Sequence, residues 1–133
     1  MSRGAPGVGD GAAMDADFDD ACARSADIDR FCSSSTWCVP AAEVLMPGRA
    51  LSVTRLGTGF LALARGVHPR GFAYLEPFEL AWALASPLVG HTPTRLAEDA
   101  IAALARRVDW DVAIVPGTSG PLLTALERGT APR

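Results

Sequence analysis

At 133 residues, 49% of them hydrophobic, the chain is the size of one domain and carries enough apolar mass for a core without disulfides or a structural metal. Its charge is mild, 12 basic against 15 acidic residues for a net −3, and every basic residue is arginine, scattered along the chain without a basic stripe. That pattern argues against nucleic acid as a partner. Met1 to Gly11 holds no apolar run of the kind a secretory signal needs. The richest apolar stretch, Leu80 to Val89, is broken by Pro87 and falls short of the roughly 18 residues of a membrane helix. The expected location is therefore the cytoplasm, with no membrane partner.

Residues 1–13, rich in Gly and Ala, read as a disordered tail, and 14–133 as a single α/β domain. Asp15, Asp17, Asp19 and Asp20 crowd the start of a segment with Met14, Phe18 and Cys22 at helical spacing. Carboxylates favour the positive end of a helix dipole, so a helix over 15–25 is expected, and the frame of a calcium loop is lacking. Ser33 to Thr36 offer N-caps for a second helix, 36–45, ended by Pro47-Gly48. Ala50 to Leu56 alternates, Phe60 to Ala64 is apolar, and the Gly-containing link between them predicts a β-hairpin. Gly71 to Glu76 reads as a third strand. Phe78 to Val89 is apolar throughout, and its period leaves open a short helical turn followed by a buried strand.

Thr92-Pro93 opens the clearest helix, with Thr92 as cap and Leu96, Ala97, Ala100, Ile101, Leu104 and Val108 as its apolar face. A buried strand, Val112 to Val115, then leads through Pro116 to Gly120 into a short helix from Pro121 to Glu127. The expected fold is α+β: a mixed sheet with an early hairpin and helices packed on it.

No complete catalytic motif is present, so catalytic residues are unassigned. Val115 to Gly120, between a strand and a helix, can present amides to an anion, which makes Gly117, Thr118, Ser119 and Gly120 the candidate anion loop. It lacks the Lys of a P-loop, and an ordinary connection is the competing reading. Cys22, Cys32 and Cys38 form no CxxC pair. A zinc site from Cys32, Cys38, His68 and His91 lacks the usual close ligand pairs, so no metal is expected and the thiols read as small buried groups. His68 and His91 read as turn residues, Glu76 and Glu79 as an unproven acid–base pair, and Trp37, Trp82 and Trp110 as core anchors.

Arg55-Leu56-Gly57-Thr58-Gly59 is close to the acetyl-CoA pyrophosphate loop of GNAT acyltransferases. Thr54, however, stands where that loop has Arg or Gln, and too short an apolar run follows to make a long helix, so a hairpin turn is the preferred reading. Phe31, Ser33 to Trp37 and Ala41 resemble the opening segment of cellulose-biosynthesis-protein-like acetyltransferases, a branch of the GNAT superfamily. The resemblance continues through the hairpin, Tyr74 to Pro77, the alanine-rich helix 94–107 and Trp110-Asp111-Val112 to Pro121-Leu122-Leu123. It implies the N-terminal lobe of a two-lobe N-acyltransferase, non-catalytic alone and completed by a second lobe. Acyl-CoA is implied only for the complete protein, and no cofactor for this chain by itself. A lobe without its partner would expose an apolar face, expected along Phe78 to Val89, and could form a homodimer. The alternative is a small module that binds an anionic or phosphorylated ligand at the Gly117–Gly120 loop.

Overall fold

The computed structural model describes residues 13–45, 47–78 and 84–130. These form α1 (Ala16–Ala23), α2 (Ser35–Leu45), β1 (Ala50–Arg55), β2 (Gly59–Val67), β3 (Ala73–Glu76), β4 (Leu88–Gly90), α3 (Pro93–Arg106), β5 (Val112–Ala113) and α4 (Gly120–Thr130). Residues 1–12 of the expected tail lie outside the described residues, as do Glu79 and Trp82. The fold is α+β, as expected: a five-stranded mixed sheet containing the β1–β2 hairpin, with helices packed on it. Among the described residues no helix is long and apolar enough to cross a membrane.

β2 organises the sheet. One edge pairs antiparallel with β1 from Ala50↔Arg65 to Arg55↔Phe60. Its other edge is shared: β3 takes Ala64 to Val67, and β4 takes Gly59 to Leu61. β5 lies outside β3 and parallel to it. Successive side chains on a strand point to opposite faces. Phe60, Ala62 and Ala64 therefore pack with Phe18, Ala21 and Cys22 of α1 and Cys38 and Ala42 of α2. Leu61 and Leu63 face the other way, onto Leu96, Ala97, Ala100 and Ala103 of α3 and Leu122 of α4. A strand buried on both faces reads as an unbroken apolar run, which is why Phe60 to Ala64 shows no polar alternation. Each fully buried leucine of this layer contributes about 1.5–3 kcal/mol relative to an exposed one.

The acidic cluster serves two helix starts. Asp15 Oδ1 accepts the amides of Asp17 and Phe18 at 3.0 and 3.2 Å, capping α1. Asp19 reaches α2, where it accepts the Ser35 amide at 3.0 Å and the Ser35 hydroxyl at 2.6 Å.

Several expectations need correction. Thr92 occupies the N-cap position of α3, but its side chain makes no capping bond; its backbone is left-handed, at φ 58°. Val108 lies beyond the helix and is 97% exposed, while Ala103 completes the buried face. β5 is two residues long, and Val112 and Ile114 are exposed rather than buried, because this edge strand pairs with β3 alone. The described parts of the Phe78–Val89 run are mostly core: Phe78, Ala85, Leu88 and Val89 are buried, and only Leu84 is exposed.

Candidate functional site

Gly117, Thr118, Ser119 and Gly120 do lie together between β5 and α4, but the amides there already have an acid. Asp27 Oδ2 accepts the Leu122 amide at 3.0 Å, and a Cβ on Gly120 would lie 2.9 Å from Asp27 Oδ1. The Ser119 amide donates to the Asp27 carbonyl at 3.0 Å, and Thr118 forms a bridge with Ile28. Gly117, at φ +74°, runs against the Ala85 carbonyl. The loop is packed against the segment after α1, and an internal carboxylate sits where an anion would.

A more open arrangement surrounds the β1–β2 turn. The Leu56 amide donates to Gly59 O at 2.7 Å, and the His91 amide donates to Thr58 O at 3.1 Å. Gly59 lies so close to β4 that a Cβ would run into the Val89 carbonyl and Gly90 Cα. These contacts pin the turn, which stands as a ridge with a cleft of ≈260 Å³ on either side.

The first cleft is lined by Asp17, Asp20, Arg24, Arg55, Thr58 and His91, with its charges largely paired. Arg24 meets Asp20 at 3.3 Å and Arg55 meets Asp17 at 3.2 Å. The Arg55 guanidinium also lies 4.6 Å from the centre of the Phe60 ring, a cation–π arrangement that fixes the head group beside the turn. His91 Nδ1 is 3.0 Å from Thr92 Oγ1.

The second cleft gathers Arg55, Leu56, Gly57, Arg95, Asp99 and Arg106. Arg95, Asp99 and Arg106 stand at i, i+4 and i+11 on α3, one stripe flanking its buried face. Arg95 Nε meets Asp99 Oδ1 at 3.1 Å, and Arg106 has no ion-pair partner among the described residues. Three arginines thus line this cleft beside one carboxylate, although Arg55, shared with the first cleft, is also paired with Asp17 at 3.2 Å. Among the described residues Asp99 Oδ2 and Thr58 Oγ1 are buried without a hydrogen-bond partner, and a Cβ on Gly57 would lie 3.1 Å from Asp99 Oδ2. Guanidinium forks match the oxygens of phosphate and carboxylate, so this cleft can hold an anion.

The remaining candidates are dispersed. The Cys22 thiol donates to Arg30 O and the Cys38 thiol to Cys32 O, each at 3.2 Å. Burial, and then the charge of Asp19, push the Cys22 thiol up to about 11. His68 stacks on Phe72 with ring centres 4.4 Å apart. Among the described residues no group of three or more His, Cys, Asp or Glu could hold a metal ion, so Cys32, Cys38, His68 and His91 are not brought together. Glu76 is buried and pairs with Arg49 at 3.4 Å, while Glu79 lies outside the described residues. Trp110 packs at the rim of the α3 layer and donates to Leu104 O at 3.0 Å, and Trp37 packs against Phe31.

Sequence reasoning treated the arginines as scattered and missed the second cleft. The available signal was the spacing of Arg95, Asp99 and Arg106 along a single face of α3. The contribution of Arg55 depends on the tertiary fold, which brings the hairpin turn against that helix. No protein family matches the chain, and neither does any curated protein or solved structure.

Proposed function

We propose that the chain is a small binding module for an anionic group, a phosphate or carboxylate, held between the β1–β2 turn and α3. The observation that carries this reading is the convergence of Arg55, Arg95 and Arg106 on one cleft in a chain whose net charge is −3. Among the described residues Arg106 has no carboxylate partner, so it is the guanidinium open to an incoming anion, while Arg95 is held by Asp99 at 3.1 Å and Arg55 by Asp17 at 3.2 Å. The test is a titration of inorganic phosphate at low ionic strength, where such contacts are least screened, followed at the backbone amides. Gly57 and Thr58 should shift, and Arg106→Ala should weaken binding about 5-fold or more, a loss in keeping with one charge-assisted contact. A titration that leaves the Gly57 and Thr58 amides unmoved would overturn the proposal.

A second reading rests on the order of elements. Two helices, a hairpin, a third strand, the short strand β4, an alanine-rich helix, a strand and a leucine-bearing helix follow one another, an order similar to the one the acetyltransferase-lobe resemblance implies, with β4 falling in its apolar stretch. On that reading the chain completes an acyl-CoA-dependent acyltransferase together with a second lobe and does not turn over acyl-CoA alone. Likeness at the level of element order transfers no site. Acetyl-CoA turnover by the purified chain would sink this reading and leave the arginine cleft untouched.

A further inference from the structure

α4 packs along α3, and the two helices leave an open groove of ≈740 Å³ between them. Ile101, Pro121, Ala125 and Gly129 supply its apolar lining, and Glu98 and Arg128 supply one charge from each helix. Gly129 stands next to last in α4. A Cβ at this position would meet the Ile101 Cδ1 methyl, the far end of a flexible side chain, so α4 runs close to Ile101 here. Among the described residues neither Glu98 nor Arg128 has an ion-pair partner.

We infer that this groove is a two-fold contact between two copies of this chain. In such a contact the same patch serves both partners, so it must complement itself. This patch does, because it presents one acid from α3 and one base from α4 across an apolar floor. A two-fold axis along the groove lays α3 of each copy over α4 of the other. α3 brings the chain to β5 and α4 carries it away, so the two helices run in the same direction. The approach of Gly129 to Ile101 sets those residues level. Glu98 and Arg128 are then offset by two residues, about 3 Å along the helix axes, within reach of an arginine side chain. Each Glu98 faces the partner's Arg128, so the contact carries two such pairs.

The contact is small. α3, at 14 residues, is about 21 Å long, and two helices at normal spacing present a face about 20 Å wide. The area is on the order of 400 Å² per copy, below the roughly 800 Å² of a standard stable interface, so the association is weak and concentration-dependent.

Sedimentation equilibrium of the full chain from about 1 µM to about 1 mM, the range of weak association constants, tests the inference. The expected result is a monomer–dimer equilibrium weakened about 10-fold or more by Glu98→Arg or by Arg128→Glu alone. The double variant carrying both reversals should return to within about 3-fold of the original, because the pair is rebuilt with opposite polarity. Both positions are exposed, so the variants should keep the fold, which circular dichroism checks. A monomer across the whole range overturns the inference. So does a dimer indifferent to both single reversals, a double variant that fails to recover, or a monomer whose groove takes up a small apolar ligand instead.

Discussion

Asp27 and Leu122 stand 95 positions apart in the chain, yet the Leu122 amide donates to Asp27 Oδ2 at 3.0 Å. The Asp27 carbonyl also accepts the amide and hydroxyl of Ser119, at 3.0 and 3.3 Å. The first turn of α4 is thus capped from the segment that follows α1, which ties an early segment of the chain to a late one. Asp27→Ala should lower stability by about 1–2 kcal/mol, as the loss of a helix cap does, measured as a fall in urea midpoint with an unchanged slope. The same substitution empties the α4 N-terminus. Phosphate should then shift the Gly117 and Gly120 amides in the variant and leave them unmoved in the parent chain. A midpoint equal to that of the parent would show that Asp27 does not hold the helix.

This cap shows where sequence reading stops. Local signals were legible: acids at the start of α1, alternation in β1, the glycine link of the hairpin, and the long apolar stripe of α3. Each depends on residues within a few positions of one another. A buried strand at the end of the Phe78–Val89 run was among the readings left open, and β4 is that strand, but its pairing with β2 and the burial of β2 on both faces arise between distant segments, and an apolar run has no period to reveal them. The anion loop at 117–120 was legible as a glycine pattern, but the acid that fills it comes from position 27, which no local pattern predicts. The arginine cleft was hidden for the same reason, since Arg55 and Arg106 meet only through the packing of a turn against a helix.

Gly59→Ala should be far more damaging than Gly48→Ala, although Gly48 has the less permissive backbone. Gly48 has φ +83° with open space around it, so alanine meets only the left-handed penalty of about 1–2 kcal/mol. At Gly59 a Cβ meets the backbone of Val89 and Gly90, which cannot move without parting β4 from β2. Overpacking of that kind costs about 3 kcal/mol. Thermal melts of the two variants compare them directly, and equal losses would mean that β4 yields freely.

The Cys22 thiol gives stability a specific pH dependence. Folding raises its pKa from an ordinary 9.0 to about 11, chiefly through burial. A group raised in this way contributes stability that is whole below 9 and is lost as pH rises through 11, because the folded state binds the proton more tightly. The contribution is on the order of 2 kcal/mol. The difference in unfolding free energy between the parent and Cys22→Ala should therefore shrink between pH 8.5 and 11, whereas the packing loss is constant. A difference that stays flat across that window would show that the thiol does not titrate with folding.

Thr92 is the single non-glycine residue with positive φ among the described residues, at φ 58° and ψ 73°. A β-branched side chain is poorly suited to that region, where crowding against the backbone costs about 1–2 kcal/mol. The residue is held there from both sides: the His91 amide is bonded to Thr58 O, and Pro93 fixes the first helical position. The Thr92 hydroxyl makes no cap and instead lies 3.0 Å from His91 Nδ1 in an exposed contact of small value. Asparagine tolerates the left-handed conformation better and keeps a polar side chain at the position. Thr92→Asn should therefore raise stability by about 0.5–1 kcal/mol, read as an upward shift of the urea midpoint. Thr92→Gly should gain less, since the strain relieved is offset by the greater freedom of an unfolded glycine. If Thr92→Asn instead destabilises the chain, the hydroxyl–imidazole contact outweighs the strain, and the His91 side chain should then lose its fixed position beside the cleft, visible as averaging of its ring signals.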